Sequence, residues 1–186
     1  RWIIGDKEGI YFYGRMGNPT QNALQEKYAA LEQGEAALVT ASGMAALSLA
    51  LLNCCSSGDH VLSIRAVYGG TYYLYTRTFP KLGIDVTFAE IEDFYPEKLE
   101  QYLQPNTKAL FFETIHNPVL QIVDMKPVID WAHQKGLTVI VDNSFATPYL
   151  CKPLEMGADL VVHSTTKYLN GHGDHLGGAI VGSRDL

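Results

Sequence analysis

Cysteine, tryptophan and basic charge are all scarce in this chain, and no apolar run is long. Of its three cysteines, Cys54 and Cys55 are neighbours and Cys151 stands alone. An odd count without framework spacing excludes a small disulfide-stapled fold and reads as reduced, buried thiols in a cytoplasmic protein. Lys and Arg number 14 against 20 Asp and Glu, a net charge of −6. A phosphate backbone finds no basic surface there, so nucleic acid is not an expected partner. No apolar stretch approaches the ~20 residues a bilayer span needs, so no membrane partner is expected either. The opening Arg1–Gly9 carries acidic residues where a signal peptide would be apolar. It starts with Arg rather than Met, which is the expectation for a trimmed product.

Apolar residues make up 47% of the 186, enough for one substantial core and too many for a disordered chain. No repeat, low-complexity tract or charge block marks an internal boundary. Short apolar runs alternate with amphipathic stretches. A helix is predicted over Thr20–Gln33, with Thr20 as its cap, Leu24, Tyr28 and Leu31 at helical spacing, and Gly34 to end it. Further helices are expected over Gly43–Asn53, Thr71–Leu82, around Tyr95, Leu99 and Tyr102, and over Lys126–Gln134. Strands are expected at Ala36–Thr40, Val61–Ile64, Ile84–Ala89, Ala109–Phe112, Thr138–Val141 and Leu160–Val162, with a last one at Gly177–Val181.

Continuously apolar strands separated by helices predict an α/β fold, a mostly parallel sheet with helices on both faces. Right-handed crossovers then bring the strand C-terminal ends to one edge, where ligands bind. Three segments carry polar chemistry there. In Thr40–Ala46 a strand turns into a helix at Gly43, which is either a plain helix start or a cradle of free N–H groups for phosphate. In Thr138–Ser144, Asp142 ends a buried strand, either capping a turn or waiting for a positive partner. In Asp159–Tyr168 a strand runs into Ser164, Thr165, Thr166 and Lys167. This lysine is either a snorkelling loop residue or a desolvated, nucleophilic amine. Together they match the needs of pyridoxal phosphate: an amine for the aldehyde, an acid for the ring nitrogen and donors for the phosphate. A metal site in Gly171–His175 with His163 upstream fits no zinc spacing, so no metal is expected.

The motifs also carry a resemblance that spans nearly the whole chain. They are Tyr13-Gly14-Arg15, Asn18-Pro19-Thr20, Ser42-Gly43-Met44, Val67–Thr71, Asn117-Pro118, Val141-Asp142-Asn143, Pro148-Tyr149 and Ser164–Gly173. In this order they resemble the Cys/Met-metabolism family of pyridoxal-phosphate enzymes, which includes cystathionine γ-synthase, the cystathionine lyases, methionine γ-lyase and O-acetylhomoserine sulfhydrylase. The resemblance implies the large domain of the aminotransferase-like (fold type I) enzymes over residues 36–186. Residues 1–35 would be a segment serving the neighbouring subunit, and the family's C-terminal domain would be absent from this chain.

By the same resemblance Lys167 would hold the cofactor covalently and, once freed, shuttle protons. Asp142 would keep the ring nitrogen protonated, Tyr68 would stack on the ring and act near the departing group, and Asn117 would bond the phenolic oxygen or the substrate. The amides of Gly43 and Met44 and the hydroxyls of Ser164 and Thr166 would hold the phosphate, and Ser144 would keep the hydroxyl that follows Asp-Asn. Tyr13 and Arg15 would reach the neighbouring subunit's phosphate, which implies a homodimer at least and a homotetramer by family habit.

The implied reaction is γ-elimination or γ-replacement on a sulfur amino acid or an activated homoserine. The alternatives are a sulfhydrylase, a cystathionine lyase or synthase, or a fragment that binds cofactor without chemistry. Departures from the family narrow the substrate. Cystathionine-handling relatives carry Arg two residues after the Gly-Gly-Thr/Ser stretch, where this chain has Tyr72 and Tyr73. A single-carboxylate substrate is therefore expected. Gly70 stands where methionine γ-lyases have Cys, and His116 where a small residue is usual.

Overall fold

The computed structural model of the protein describes residue 11 and residues 13–186. The signal-peptide question, which concerns Arg1–Gly9, lies outside the described residues. Seven strands form one sheet: β1 (Ala36–Thr40), β2 (His60–Ile64), β3 (Asp85–Ala89), β4 (Thr107–Glu113), β5 (Thr138–Asp142), β6 (Leu160–His163) and β7 (Gly178–Gly182). Their spatial order is β1-β7-β6-β5-β4-β2-β3. The helices are α1 (Pro19–Glu32), α2 (Gly43–Cys54), α3 (Gly69–Tyr73), α4 (Pro96–Leu99), α5 (Met125–Gln134) and α6 (Thr147–Leu150), with 3₁₀ and π turns between them. No helix among the described residues is long and apolar enough to cross a membrane.

The central strands are apolar because both faces of the sheet are covered. Successive side chains of a strand point to opposite faces. Leu110, Phe111 and Phe112 of β4 and Val139, Ile140 and Val141 of β5 are nevertheless all fully buried. From β3 to β6 the pairings are parallel, as expected. The last strand departs from the expected pattern, because β7 runs antiparallel to both β6 and β1. Residues 164–177, between β6 and β7, form turns and bends without a helix. A parallel return needs a crossover, usually helical, so this chain returns antiparallel. The functional edge is thus built from the C-terminal ends of β1, β4, β5 and β6 and the N-terminal end of β7, where Gly178 pairs with Thr40.

Local chemistry corrects several expected boundaries. Asn18, not Thr20, caps α1: its Oδ1 accepts from the Gln21 amide at 2.8 Å, and Pro19 opens the helix without needing its missing N–H. Gln33 takes the left-handed conformation that ends α1 (φ 62°). Gly34 serves a different purpose, since a Cβ there would come within 2.6 Å of Val181. The stripe of Leu24, Tyr28 and Leu31 is not the buried face of α1. Leu24 and Leu31 are exposed and Tyr28 is half-buried, while Ala29 and Glu32 are buried instead. At that face Glu32 turns inward and hydrogen-bonds His163.

The segment expected as one helix over Thr71–Leu82 starts earlier and changes pitch, from α3 through a π turn (Leu74–Thr78) to a 3₁₀ turn (Phe79–Leu82). Pro80 lacks the N–H that a regular helix would use there. Leu99 is buried at the end of α4, whereas Tyr95 precedes the helix as its exposed cap.

Candidate active site

Ser42 leaves β1 extended, and its hydroxyl accepts from the Ala45 amide at 3.1 Å, which starts α2. The first amides of a helix have no acceptor within it, so those of Gly43 and Met44 face outward. Across from them lies Ser164, immediately after β6. A Cβ on Gly43 would sit 2.5 Å from the Ser164 Cβ and 2.7 Å from its Cα, so only glycine lets the start of α2 close onto that residue. The Ser164 amide donates to the Ser144 hydroxyl at 2.6 Å, which ties the ends of β5 and β6 together. The result is a cavity of about 210 Å³. Gly43, Met44, Tyr68, Asp142, Ser144, Ser164, Thr166 and Lys167 all line it.

Asp142 ends β5, and one of its carboxylate oxygens accepts from the Ser144 amide at 2.9 Å. Burial pushes its carboxyl above the usual carboxylate range, against the pull of the Ser144 hydrogen bonds and the nearby His163. Beside it, in register on β4, stands Glu113, also lining the cavity and only 5% exposed. Burial, with Asp142 adding to it, pushes the Glu113 carboxyl up to about 8. Glu113 was missed in the sequence, although it carries the same signal as Asp142: an acid closing a continuously apolar strand. Two acids side by side on the cavity wall call for a positive partner.

Tyr68 is half exposed at the start of α3, held through its backbone. A Cβ on Gly70 would meet the Tyr68 ring at 2.5 Å and the Met44 sulfur at 3.0 Å, so only glycine lets the ring lie this close to the backbone there. The hydroxyl of Thr166 is already engaged: it donates to the Gly177 carbonyl at 3.1 Å and accepts from the Gly177 amide at 3.0 Å. Lys167 differs from expectation in its environment, since it is exposed at the rim rather than desolvated in the core.

Three expected site residues do not line the cavity. Asn117 is half-buried beside it, in a turn with a cis bond to Pro118. Tyr13 and Arg15 are exposed elsewhere, the guanidinium 5.4 Å above the tyrosine ring. The Gly171–His175 segment is an exposed loop braced by Asn170, whose amide donates to Asp174 at 3.0 Å. Among the described residues, no three His, Cys, Asp or Glu side chains gather as a metal site would need.

An open, mostly parallel sheet with a helix N-terminus, a lysine and an acid on one edge is the arrangement found in the large domain of the fold type I pyridoxal-phosphate enzymes. The sequence profile described as "Cys/Met metabolism PLP-dependent enzyme" matches residues 3–186, and the chain belongs to that family. It is 45% identical over 186 residues to an L-methionine γ-lyase of Porphyromonas gingivalis, covering all of this chain and 46% of that protein. It is 46% identical over 171 residues to a cystathionine γ-lyase of Bacillus subtilis, covering 92% of this chain and 44% of the relative. Among solved structures, a putative O-acetylhomoserine (thiol)-lyase from Campylobacter jejuni superposes with a TM-score of 0.88 at 40% identity, over 94% of this chain and 43% of that one. That crystal contains a pyridoxyl-lysine phosphate. The chain thus spans less than half the length of these relatives.

The residues present fit the family's cofactor. The Gly43 cradle has no room for a side chain, the amides beside it are free, and the buried Asp142 carboxyl on the cavity wall offers an acceptor to a protonated ring nitrogen.

Proposed function

We propose that this protein carries out γ-elimination or γ-replacement on a sulfur amino acid or an activated homoserine, in the manner of a C–S lyase. The observation that carries this reading is the single cavity shared by the start of α2, Asp142, Tyr68 and Lys167. Bound pyridoxal phosphate supplies a sink for the negative charge that develops at the substrate α-carbon. The Gly43 and Met44 amides and the Ser164 hydroxyl bind its phosphate, with the helix dipole adding to the attraction. Thr166 supports that end through its bonds to Gly177. Asp142 holds a proton at the ring nitrogen, and Ser144 orients Asp142. Tyr68 covers the ring face and handles a proton at the leaving group. Lys167 would hold the cofactor and, once freed by the substrate amine, would act as the base at the α-carbon and, after passing that proton on, at the β-carbon, whose proton loss lets the γ-substituent leave. Asn117, in the turn beside the cavity, would bond the ring oxygen or the substrate.

The substrate in this reading has one carboxylate. Tyr73, where an arginine would stand in cystathionine-handling relatives, is exposed and offers no cation. Residues 36–186 form the cofactor-binding domain in this reading, and residues 1–35 contribute to the neighbouring subunit's site in a homodimer or tetramer through Tyr13 and Arg15, while α1 stays on its own sheet. Tyr13 and Arg15, exposed and away from their own cavity, support that assignment. The free thiols of Cys54, Cys55 and Cys151 favour the cytoplasm.

Borohydride reduction of the protein with added pyridoxal phosphate, followed by peptide mapping, tests the reading. The pyridoxyl label is expected on Lys167, and Lys167→Ala is expected to lower turnover of methionine or O-acetylhomoserine by ~10²–10⁴-fold or more. A label elsewhere, or near-normal activity of the variant, rejects the mechanism.

A further inference from the structure

One buried carboxyl group reaches two loops at once. Glu113 closes β4, and its two oxygens are spent on different partners. One accepts from the backbone amide of Tyr68 at 2.7 Å, 45 residues earlier in the chain. The other accepts from the backbone amide of Asn117 at 2.9 Å. Neither bond belongs to a helix or a strand ladder. Tyr68 begins α3 without a side-chain cap, and its amide would otherwise be unpaired. Asn117 sits in the turn between β4 and α5, which the bond from the His116 amide to the Gln121 carbonyl also closes.

We propose that Glu113 is a positioning residue: its carboxyl group clamps the Tyr68 loop and the Asn117 turn together over the cavity, setting the place of both side chains relative to bound cofactor. This rests on the reading above, in which Tyr68 covers the ring and Asn117 bonds to it. The geometry requires an acceptor at both oxygens. Ionised or protonated, a carboxyl keeps acceptor lone pairs on both oxygens, whereas a carboxamide has them on one, so the clamp distinguishes glutamate from its isostere. A residue that merely filled space would not. Glu113 is also unsuited to a cheaper structural role. An acid at 5% exposure beside Asp142 is costly to bury, and an apolar residue would pack there without that cost.

The test reads the clamp directly. Residue-resolved amide hydrogen exchange on the ligand-free protein compares wild type with Glu113→Gln and Glu113→Ala. In Glu113→Gln one of the two amides, Tyr68 or Asn117, is expected to exchange at least tenfold faster while β2 amides keep their protection. In Glu113→Ala both are expected to do so, and if that variant fails to fold the isosteric one still decides. Titration with pyridoxal phosphate, followed by its visible absorption, is expected to show roughly tenfold weaker binding to Glu113→Gln, with the borohydride label still on Lys167. Unchanged exchange at both amides in Glu113→Gln overturns the clamp, and so does unchanged cofactor affinity. If wild type itself takes up no cofactor, the proposed function fails, and the exchange rates alone still decide the clamp.

Discussion

At the scale of single residues, the two acids on the cavity wall carry the clearest consequences. Glu113 has its carboxyl pushed up to about 8, against an ordinary 4.5, so the fold binds its proton more tightly than the unfolded chain does. Its contribution to stability is complete below pH 4.5 and is lost as pH rises through 8. The loss amounts to up to roughly 5 kcal/mol in the ligand-free protein. Asp142, raised for the same reason of burial, acts in the same direction. Urea midpoints measured between pH 5 and pH 9 are expected to fall with pH in wild type, and to fall less steeply in Glu113→Gln. Equal slopes would mean the carboxyl is not held in its protonated form. Asp142→Ala is expected to weaken pyridoxal phosphate binding by about 10–100-fold, the worth of one charge-assisted hydrogen bond. Absorption titration checks it, and unchanged affinity would place the ring acid elsewhere.

At the scale of elements, what matters is how α1 and α2 meet the strand ends. Glu32, at the end of α1, pairs with His163 at 2.6 Å and also accepts from the Asn143 amide group at 2.8 Å, all three being buried. His163 precedes Ser164 and Asn143 follows Asp142, so this cluster sets the ends of β5 and β6 from behind the cavity. Glu32→Ala would leave the buried His163 without its partner and Asn143 with only its bond to the Cys151 carbonyl, and is expected to destabilise the fold by ~1–3 kcal/mol, read as a shifted denaturant midpoint. Gly43→Ala is expected to cost ~1–3 kcal/mol, because the start of α2 must move off Ser164. The same variant should bind pyridoxal phosphate more weakly than its stability loss explains. Normal affinity would show that the helix start does not hold the phosphate.

At the scale of the whole molecule, the proposed lending of Tyr13 and Arg15 to a neighbour has a combinatorial consequence. Lys167→Ala and Arg15→Ala proteins should each be nearly inactive, yet mixed subunits form one site with native Lys167 and a native partner Arg15. Random mixing is then expected to restore about a quarter of wild-type activity. No recovery from co-expressed, purified hetero-oligomers would mean that Arg15 serves its own subunit or none.

The sequence alone determined whatever depends on neighbours along the chain. It determined the strand cores and the turn from Thr40 into α2. The acid and the lysine at the ends of β5 and β6 were legible too, because apolar period, glycine and polar punctuation are local signals. The tertiary structure alone decided what depends on strands meeting in space. The antiparallel return of β7, the burial of Glu32 against His163 131 positions away, and the reach of Glu113 to Tyr68 all follow from the sheet order β1-β7-β6-β5-β4-β2-β3. No spacing along the chain records that order. An acid at a strand end shows that a partner is needed, and only the neighbouring strand and loop show which one.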